Sequence, residues 1–149
     1  MSFALRVATA ADADGLLGLW DEAAENERRT PDYRDAVMVL LGHDPGAVIV
    51  AEHDDELIGS VIAGWDGWRG HLYRLAVRPS WRRRGVASAL VQAAEDRFRA
   101  LGAARSDAIV LDGNDLGQLL WRASGYAKQD FWRRWVKSLR EPDPEKIKI

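Results

Sequence analysis

Residues 75–87 read Leu75-Ala76-Val77-Arg78-Pro79-Ser80-Trp81-Arg82-Arg83-Arg84-Gly85-Val86-Ala87, and they carry the clearest structural signal in the chain. A segment that favours a strand over residues 71–77 leads into a loop, and apolar residues at helical spacing follow from Val86. A helix that begins directly after a glycine-containing turn has unpaired backbone N–H groups, which together with the helix dipole attract an anion. The stretch therefore predicts a phosphate- or pyrophosphate-binding turn between a strand and a helix.

The residue types in this turn suit a phosphate ligand. Arginines stand at positions 78, 82, 83 and 84 with no acidic residue among them, and guanidinium groups donate paired hydrogen bonds to phosphate oxygens. Gly85 lets the backbone approach a ligand closely, and Ala87 is small enough to avoid a clash. The turn is neither a Walker loop nor a dinucleotide fingerprint, because the required glycines and lysine are missing. The alternative interpretation is a solvated basic loop.

The composition sets limits on the class of protein. A chain of 149 residues with 47% hydrophobic and 30% charged residues is typical of one globular domain. The absence of cysteine excludes a disulfide framework, a thiolate metal site and a cysteine nucleophile, and we expect no bound metal. The longest apolar run, residues 36–41, is far shorter than the roughly 18 residues that a membrane span needs. We therefore expect a soluble cytoplasmic protein with no membrane partner.

Charge is distributed unevenly along the chain. Residues 1–66 hold 14 acidic and 4 basic side chains (net −10), whereas residues 67–149 hold 9 acidic and 17 basic ones (net +8). This asymmetry favours ligands of opposite sign at the two ends, or solvated faces that differ by chance. A pI of about 5.9 is far from that of a nucleic-acid-binding domain, and we expect no nucleic-acid partner.

The periodicity along the chain predicts a mixed α/β fold in the order βααβββαβαβ. The strands are expected over residues 3–7, 48–52, 57–63, 71–77, 108–111 and 130–137. Helices are expected from the Thr9 cap to Ala24, from Thr30-Pro31-Asp32 to Leu41, over residues 86–101, and from the Asn114-Asp115 cap toward Gly125. We expect one domain over residues 1–140 and a flexible charged tail over residues 141–149.

On these residues the chain resembles the GNAT superfamily of acyl-CoA-dependent N-acyltransferases. The family's Gln/Arg-x-x-Gly-x-Gly/Ala turn is matched by Arg82, Gly85 and Ala87, and its Leu-Ala-Val-x-Pro strand by residues 75–79. Asn114 and the pair Gly125-Tyr126 are similar to the family's Asn…Gly-Phe segment. The resemblance covers residues 3 to about 137 and implies a central, mostly antiparallel sheet flanked by helices.

The resemblance implies acetyl-CoA as co-substrate. The backbone amides of Arg83, Arg84, Gly85, Val86, Ala87 and Ser88 would hold the pyrophosphate of CoA, beside Arg82. The Leu75-Ala76-Val77 strand would pair through Leu75 and Val77 with the pantetheine arm, and the Val77 amide would stabilise the oxyanion. Asn114 would hydrogen-bond the pantetheine, cap its helix, or do both.

Attack by an amine requires a base, and His71 is the first candidate. It stands six residues before Val77, where histone-acetylating relatives carry a glutamate and arylalkylamine-acetylating relatives a histidine. A structural histidine is the alternative. Tyr73 could order water on the same face, and Glu52 and Asp66 are the fallback carboxylates.

The general acid departs from the family pattern. The tyrosine that often protonates the leaving thiolate is replaced by Trp121, next to the CoA site, and an indole is only a hydrogen-bond donor. Tyr126, in place of the usual phenylalanine, could donate instead or serve in packing. A CoA thiolate can also leave and take its proton from water.

The resemblance implies an N-acetyltransferase in which a primary amine, on a small molecule or a protein, attacks directly. The alternative is a regulatory domain that binds acyl-CoA without turnover. Acidic residues of the first helical region would attract a cationic acceptor or simply be solvated, namely Asp21, Glu22, Glu25 and Glu27. Trp65 and Trp68 would offer an aromatic surface to the acceptor, cover the core or contact a second copy, since homodimers are frequent in the family.

Overall fold

A five-stranded sheet in the order β1-β2-β3-β4-β5 organises the chain. The strands are β1 (Ala4–Val7), β2 (Val48–His53), β3 (Glu56–Trp65), β4 (Gly70–Val77) and β5 (Ser106–Ala108). Neighbouring strands are antiparallel except for β5, which runs parallel to β4. The computed structural model describes residues 2–23 and 31–140. It confirms the expected mixed, mostly antiparallel sheet flanked by helices.

Helices cover both faces of this sheet. They are α1 (Ala13–Glu22), α2 (Arg34–His43), α3 (Val86–Leu101) and α4 (Asp115–Ala123), with short 3-10 turns at Ala10–Asp12 and Pro79–Trp81. Alternate residues of β2 enter different cores, because successive side chains of a strand point to opposite faces. Val48 and Val50 pack in the cluster that contains α1 and α2, whereas Ile49 and Ala51 pack in the cluster that contains α3.

A glycine brings the N-terminal part of α3 against the sheet. A Cβ atom on Gly59 of β3 would lie 2.8 Å from Val86 Cγ1, 3.1 Å from Leu90 Cδ1 and 3.2 Å from the carbonyl oxygen of Ala76. A side chain at this position would push α3 away from β3 and β4. The helix that follows the arginine-rich turn is thereby seated directly on the end of β4.

A β-bulge interrupts β4 next to this end. Tyr73 of β4 pairs with Ile62 of β3, and Ala76 pairs with Ser60. Val61 alone therefore lies opposite two residues of β4, Arg74 and Leu75. One of these two, Arg74, has a φ of +48°, in the left-handed region that non-glycine residues rarely adopt. The extra residue changes which backbone groups of β4 face β3.

A buried hydrogen-bond chain connects α1 to the bulge. The Trp20 indole N–H donates to Ser60 Oγ at 2.8 Å, and the Ser60 hydroxyl donates to the carbonyl oxygen of Arg74 at 3.2 Å. Ser60 is the one polar residue in the core of the described part of the chain, so its bonds replace water. The Arg74 guanidinium also contacts Asp32, with Nη2 and Oδ1 2.7 Å apart. Arg74 is therefore held at the bulge by contacts to both its carbonyl oxygen and its guanidinium group.

Two expected elements have other bounds in the structure. Helix α2 begins at Arg34 instead of near Pro31, because Tyr33 has an extended backbone; Ala24 and Thr30 lie outside the described residues. Strand β5 occupies Ser106–Ala108 instead of residues 108–111, whose apolar side chains Ile109 and Leu111 are exposed.

The expected strand over residues 130–137 is wrong, since this segment is irregular and pairs with no described strand. Its sequence lacks the strict alternation that a half-buried strand needs, because Phe131 and Trp132 are adjacent, as are Arg133 and Arg134. In the described ranges no helix has the length and apolarity needed to cross a membrane.

Candidate active site

The arginine-rich turn has the geometry of an anion site. It contains two left-handed residues, Arg83 with a φ of +62° and Gly85 with a φ of +82°, and Gly85 caps α3. The first bond of the α3 ladder is Ala89 N–H to Gly85 O, so the helix itself does not use the amides of residues 86–88. Neither a capping side chain nor an acidic residue occupies this first turn. These amides are available to an anion and reinforced by the helix dipole.

The space in front of Gly85 is open. A Cβ atom there would have no heavy atom of the described residues within 4 Å. The glycine is therefore needed for its positive φ and not to make room for a neighbouring part of the protein. The position in front of Gly85 therefore leaves room for a ligand beside the turn.

The arginines of the turn have different surroundings. Arg83 and Arg84 are exposed, and the Arg84 guanidinium lies 5.2 Å from the centre of the buried Trp81 ring. Arg82 is half-buried and has interactions with other groups of the protein. Two of the turn's arginines therefore extend directly into solvent beside the free amides.

Arg78, expected to donate to phosphate, is engaged by other groups of the protein. Its guanidinium forms ion pairs with Glu22 and with Glu56, the second at 3.4 Å, and donates from Nε to the carbonyl oxygen of Leu57 at 2.6 Å. These contacts tie the end of β4 to α1 and to the start of β3. Glu22, expected as a free acceptor-attracting charge, is neutralised by this pair, and Glu25 and Glu27 lie outside the described residues.

The outer edge of β4 opens beside the turn. Strand β5 pairs with β4 only from Gly70 to Leu72, and within the described ranges no strand continues this pairing beyond Leu72. The Arg78 amide donates to Ile58 O on β3, and backbone groups of successive strand residues point in opposite directions. Leu75 and Val77 therefore direct their N–H and C=O groups to the open edge. Ala76 directs its groups to β3.

Asn114 lies at the start of α4. Its Oδ1 accepts a 2.9 Å hydrogen bond from the Gly117 amide, which confirms the expected helix cap. The cap uses only the oxygen of the side-chain amide, so the Nδ2 group keeps its donors for a ligand. The capping and binding roles are compatible in this geometry.

Tyr126 is held between α3 and β5. Its hydroxyl donates to Glu95 Oε2 at 2.8 Å and lies 2.9 Å from Ser106 Oγ. Partial burial, followed by the bond to Glu95, raises the pKa of Tyr126 to about 12, although the Ser106 contact opposes this shift. Its ring meets the half-buried Trp121 edge-to-face, with centroids 5.0 Å apart. These contacts fix both rings against the core.

His71 lies between two carboxylates. Its Nδ1 is 2.9 Å from Asp107 Oδ1 on β5, and its Nε2 is 3.2 Å from Asp66 Oδ2 on the β3–β4 loop. Both nitrogens can donate only in the imidazolium form. Partial burial alone would lower the pKa of His71, but the bonds to Asp107 and Asp66 outweigh it and raise the pKa above its ordinary value of 6.5.

The other base candidates have a pKa far from neutrality or are already paired. Backbone amides of Arg69 and Trp68 donate to Asp66 and, with His71, lower its pKa to about 2. Glu52 pairs with Arg6 at 3.0 Å on the β1 side of the sheet. Tyr73 is near His71, with ring centroids 6.3 Å apart, and burial raises its pKa above the ordinary value. These observations leave His71 as the candidate base.

Sequence patterns did not reveal Asp107. The apolar run over residues 108–111 placed the expected strand after Asp107. The role of Asp107 follows from its pairing opposite His71 in the β4–β5 register, which the sequence alone does not give. The structural role of Ser60 and Trp20 was missed too, since neither residue stands out in the sequence and only the structure shows the bond between them.

Trp65 is half-buried and Trp68 is exposed beneath the Arg69 guanidinium, 4.2 Å away.

Comparison with known proteins agrees with this geometry. Residues 13–126 match the model of the acetyltransferase (GNAT) family. The chain is 33% identical over 126 residues to an acetyltransferase of Sodalis glossinidius, covering 85% of this chain and 88% of that protein. It is 35% identical over 111 residues to an acetyltransferase of Pectobacterium atrosepticum, covering 74% and 78%.

Solved structures share the fold. Ard1 of Thermoplasma volcanium has a TM-score of 0.76 at 16% identity, over 85% of this chain and 84% of that one. An aminoglycoside acetyltransferase solved with a CoA-containing bisubstrate analogue has a TM-score of 0.72 at 20% identity, over 93% and 99%. The chain belongs to the GNAT acetyltransferase family. It is an acetyltransferase that uses acetyl-CoA and an amine acceptor.

Proposed function

We propose that this enzyme acetylates a primary amine, carried by a small molecule or by a protein N-terminus or lysine, through direct attack on acetyl-CoA. The observation that carries the proposal is the junction of the open β4 edge with the free amides of α3. One side of this junction suits an extended pantetheine arm, and the other suits a diphosphate. The chemistry supplied by acetyl-CoA is an activated thioester carbonyl.

We assign the co-substrate contacts as follows. Amides of residues 83–88 hold the diphosphate, with Arg83 and Arg84 as exposed cations beside it and Arg82 at the base of the turn. Leu75 and Val77 pair with the pantetheine through the groups that face the open edge, and Asn114 donates from Nδ2. The Val77 amide stabilises negative charge that develops on the thioester oxygen. Trp121 packs beside this site.

We assign the base to His71, with Asp107 as its positioning residue. While Asp66 contacts Nε2, the imidazolium has no lone pair to accept a proton. Once Asp66 moves away and the ring loses a proton, the Nδ1–H bond to Asp107 fixes the tautomer with the lone pair on Nε2. The acceptor's ammonium group can then transfer its proton to Nε2, directly or through water.

We assign a packing role to Tyr126, which was the candidate acid. Its hydroxyl proton is committed to Glu95, and a pKa of about 12 makes it a weak donor toward a thiolate. The departing CoA thiolate then takes its proton from water. A Tyr126→Phe variant that keeps its kcat supports this assignment, and a large loss confined to kcat would restore Tyr126 as the acid.

A second candidate function is acyl-CoA binding without turnover. It is favoured by the two carboxylates that contact both ring nitrogens of His71, together with the tryptophan at position 121. In this case the protein would bind acetyl-CoA tightly and release no thiol with any amine. The two functions share the co-substrate site and differ only in the chemistry at His71.

Calorimetric titration with acetyl-CoA, followed by thiol release with a panel of amines, tests these functions. The panel should contain small aliphatic, aromatic and polycationic amines and peptides with free N-termini or lysines. Saturable binding with amine-dependent release supports the enzyme, and saturable binding without release supports the regulatory domain. Absence of binding at millimolar acetyl-CoA would contradict both. We also propose a cytoplasmic location and a homodimer, the second to be tested by sedimentation.

A further inference from the structure

The segment over residues 131–140 is an exposed chain of cationic and apolar side chains. Among its ten residues are four cations and no acid. Five are large and apolar, and they are exposed: Phe131 (78%), Trp132 (67%), Trp135 (94%), Val136 (57%) and Leu139 (93%). Exposed apolar side chains at this density mark a surface that is covered in some functional state.

The order of these residues has helical periodicity. At 100° per residue the five apolar positions fall within an arc of about 140°, and the cations with Ser138 fall on the opposite side. Asp130 precedes the segment as a potential N-cap, and Pro142 follows it shortly after. A ten-residue helix is marginal in water, which accounts for the irregular backbone of the segment in the absence of a partner.

The cations of the segment remain largely unneutralised. Arg140 pairs with Asp35 at 2.9 Å and lies 3.7 Å from the centre of the Tyr33 ring, so it anchors the end of the segment beside α2. The guanidinium of Arg133 donates only to backbone carbonyl groups of residues 130 and 132. Within residues 2–23 and 31–140, no carboxylate lies within salt-bridge distance of Arg133, Arg134 or Lys137.

We propose that residues 131–140 form a basic amphipathic helix that docks on an anionic lipid surface. The aromatic and aliphatic side enters the headgroup boundary, and the cations contact the negative lipid headgroups. Tryptophan suits this boundary because its ring is apolar and its N–H is polar. The expectation that the protein has no membrane partner came from the absence of a spanning segment and does not apply to surface docking.

Charge disfavours pairing of this segment with the same segment of a second copy. Pairing of two such segments would bring their cations together without described acids between them. A nucleic acid would also neutralise the cations, but it would leave the aliphatic side chains of Val136 and Leu139 without an apolar partner. The proposal is independent of the acetyltransferase reaction, since it uses no residue of the candidate active site.

Vesicle co-sedimentation of the full chain tests the proposal. The probes are phosphatidylcholine vesicles with and without about a third of phosphatidylglycerol, at low and high salt. We expect binding only to the anionic vesicles, weakened by salt, with a blue shift of tryptophan emission and a gain of helical circular dichroism. Binding should fall about tenfold or more in Arg133→Glu/Arg134→Glu and in Trp135→Ser/Leu139→Ser.

A charge-matched control is Arg99→Glu/Arg105→Glu, which alters two exposed arginines outside the segment by the same net charge and should keep vesicle binding. Thermal melts of all variants report their folding. Equal binding of the segment and control variants would overturn the proposal. It would also be overturned by a lack of binding at low salt, by lipid-free dimerisation that Trp135→Ser/Leu139→Ser abolishes, or by binding to an oligonucleotide in place of vesicles.

Discussion

His71 Nδ1 and Asp107 Oδ1 lie 2.9 Å apart across the one parallel strand pair of the described sheet. Because the two residues are directly paired in register, their side chains lie on the same face of the sheet and the contact joins β4 to β5. The contact from Asp66 comes from a loop and is longer, at 3.2 Å. The two carboxylates should therefore have opposite effects on catalysis when they are removed.

Asp66→Asn should increase activity on the acid side of the pH profile. Removing this carboxylate lowers the pKa of His71 and frees Nε2, so the acid limb of kcat/KM moves to lower pH. Asp107→Asn also lowers this pKa, but it removes the bond that fixes the tautomer, and we expect kcat to fall about tenfold or more at every pH. Initial rates from pH 5.5 to 9.5 measure both effects. Parallel profiles for the two variants would contradict the assignment.

His71→Ala should lose about a hundredfold in rate near neutral pH and recover at high pH, where the acceptor is already a free amine. Thermal melts provide a separate readout. The raised pKa of folded His71 means that its contribution to stability is complete below the unfolded pKa of about 6.5 and is lost as pH rises through the folded pKa. The stability difference between wild type and variant should therefore shrink as pH rises. A uniform rate loss across pH would indicate a structural histidine.

Gly85→Val should abolish binding of acetyl-CoA. Valine in a left-handed conformation costs about 1–2 kcal/mol, and its side chain would occupy the open space in front of the turn. Gly102→Val is a matched control, because Gly102 ends the same helix with a φ of +89° and equally open surroundings. Both variants should lose similar stability in urea, but only Gly85→Val should lose affinity in calorimetry. Retained affinity in Gly85→Val would show that the diphosphate binds elsewhere.

Arg83→Gly should be more stable than Arg83→Ala by about 1 kcal/mol, because glycine relieves the positive φ of this position and alanine does not. The neighbouring exposed Arg84 has no such φ, so Arg84→Gly should be less stable than Arg84→Ala. Urea unfolding of the four variants gives the comparison. The same order at both positions would mean that the turn is not strained at Arg83.

The Trp20–Ser60 bond should show coupling in a double-mutant cycle. Ser60→Ala leaves the Trp20 N–H buried without a partner, at a cost of about 1–3 kcal/mol. Trp20→Phe removes the donor, so the double variant should cost less than the sum of the single changes. Strict additivity in urea unfolding would indicate that water replaces the missing partner.

Local sequence patterns predicted the part of the fold in which the signal is continuous along the chain. The strand, turn and helix over residues 71–101 were expected correctly, because strand periodicity, Gly85 and helix periodicity follow one another directly. The fate of Arg78 was not predictable in this way, since its partner Glu22 is 56 positions away. Asp107 was missed for a related reason: its role depends on a strand register that spans 36 positions.

The bulge at Arg74 sets the phase of β4. Ahead of it the Gly70 amide, an even-numbered position, points to the β5 side, toward Arg105 O, whereas after it the even-numbered Arg78 points to β3. The backbone groups of β4 therefore alternate in one phase before the bulge, where the strand pairs with β5. They alternate in the opposite phase after it, where Leu75 and Val77 face the open edge. If β4 ran without the bulge at its present length, the alternation that begins at Gly70 would continue, and the backbone groups of Leu75 and Val77 assigned to acetyl-CoA would face β3.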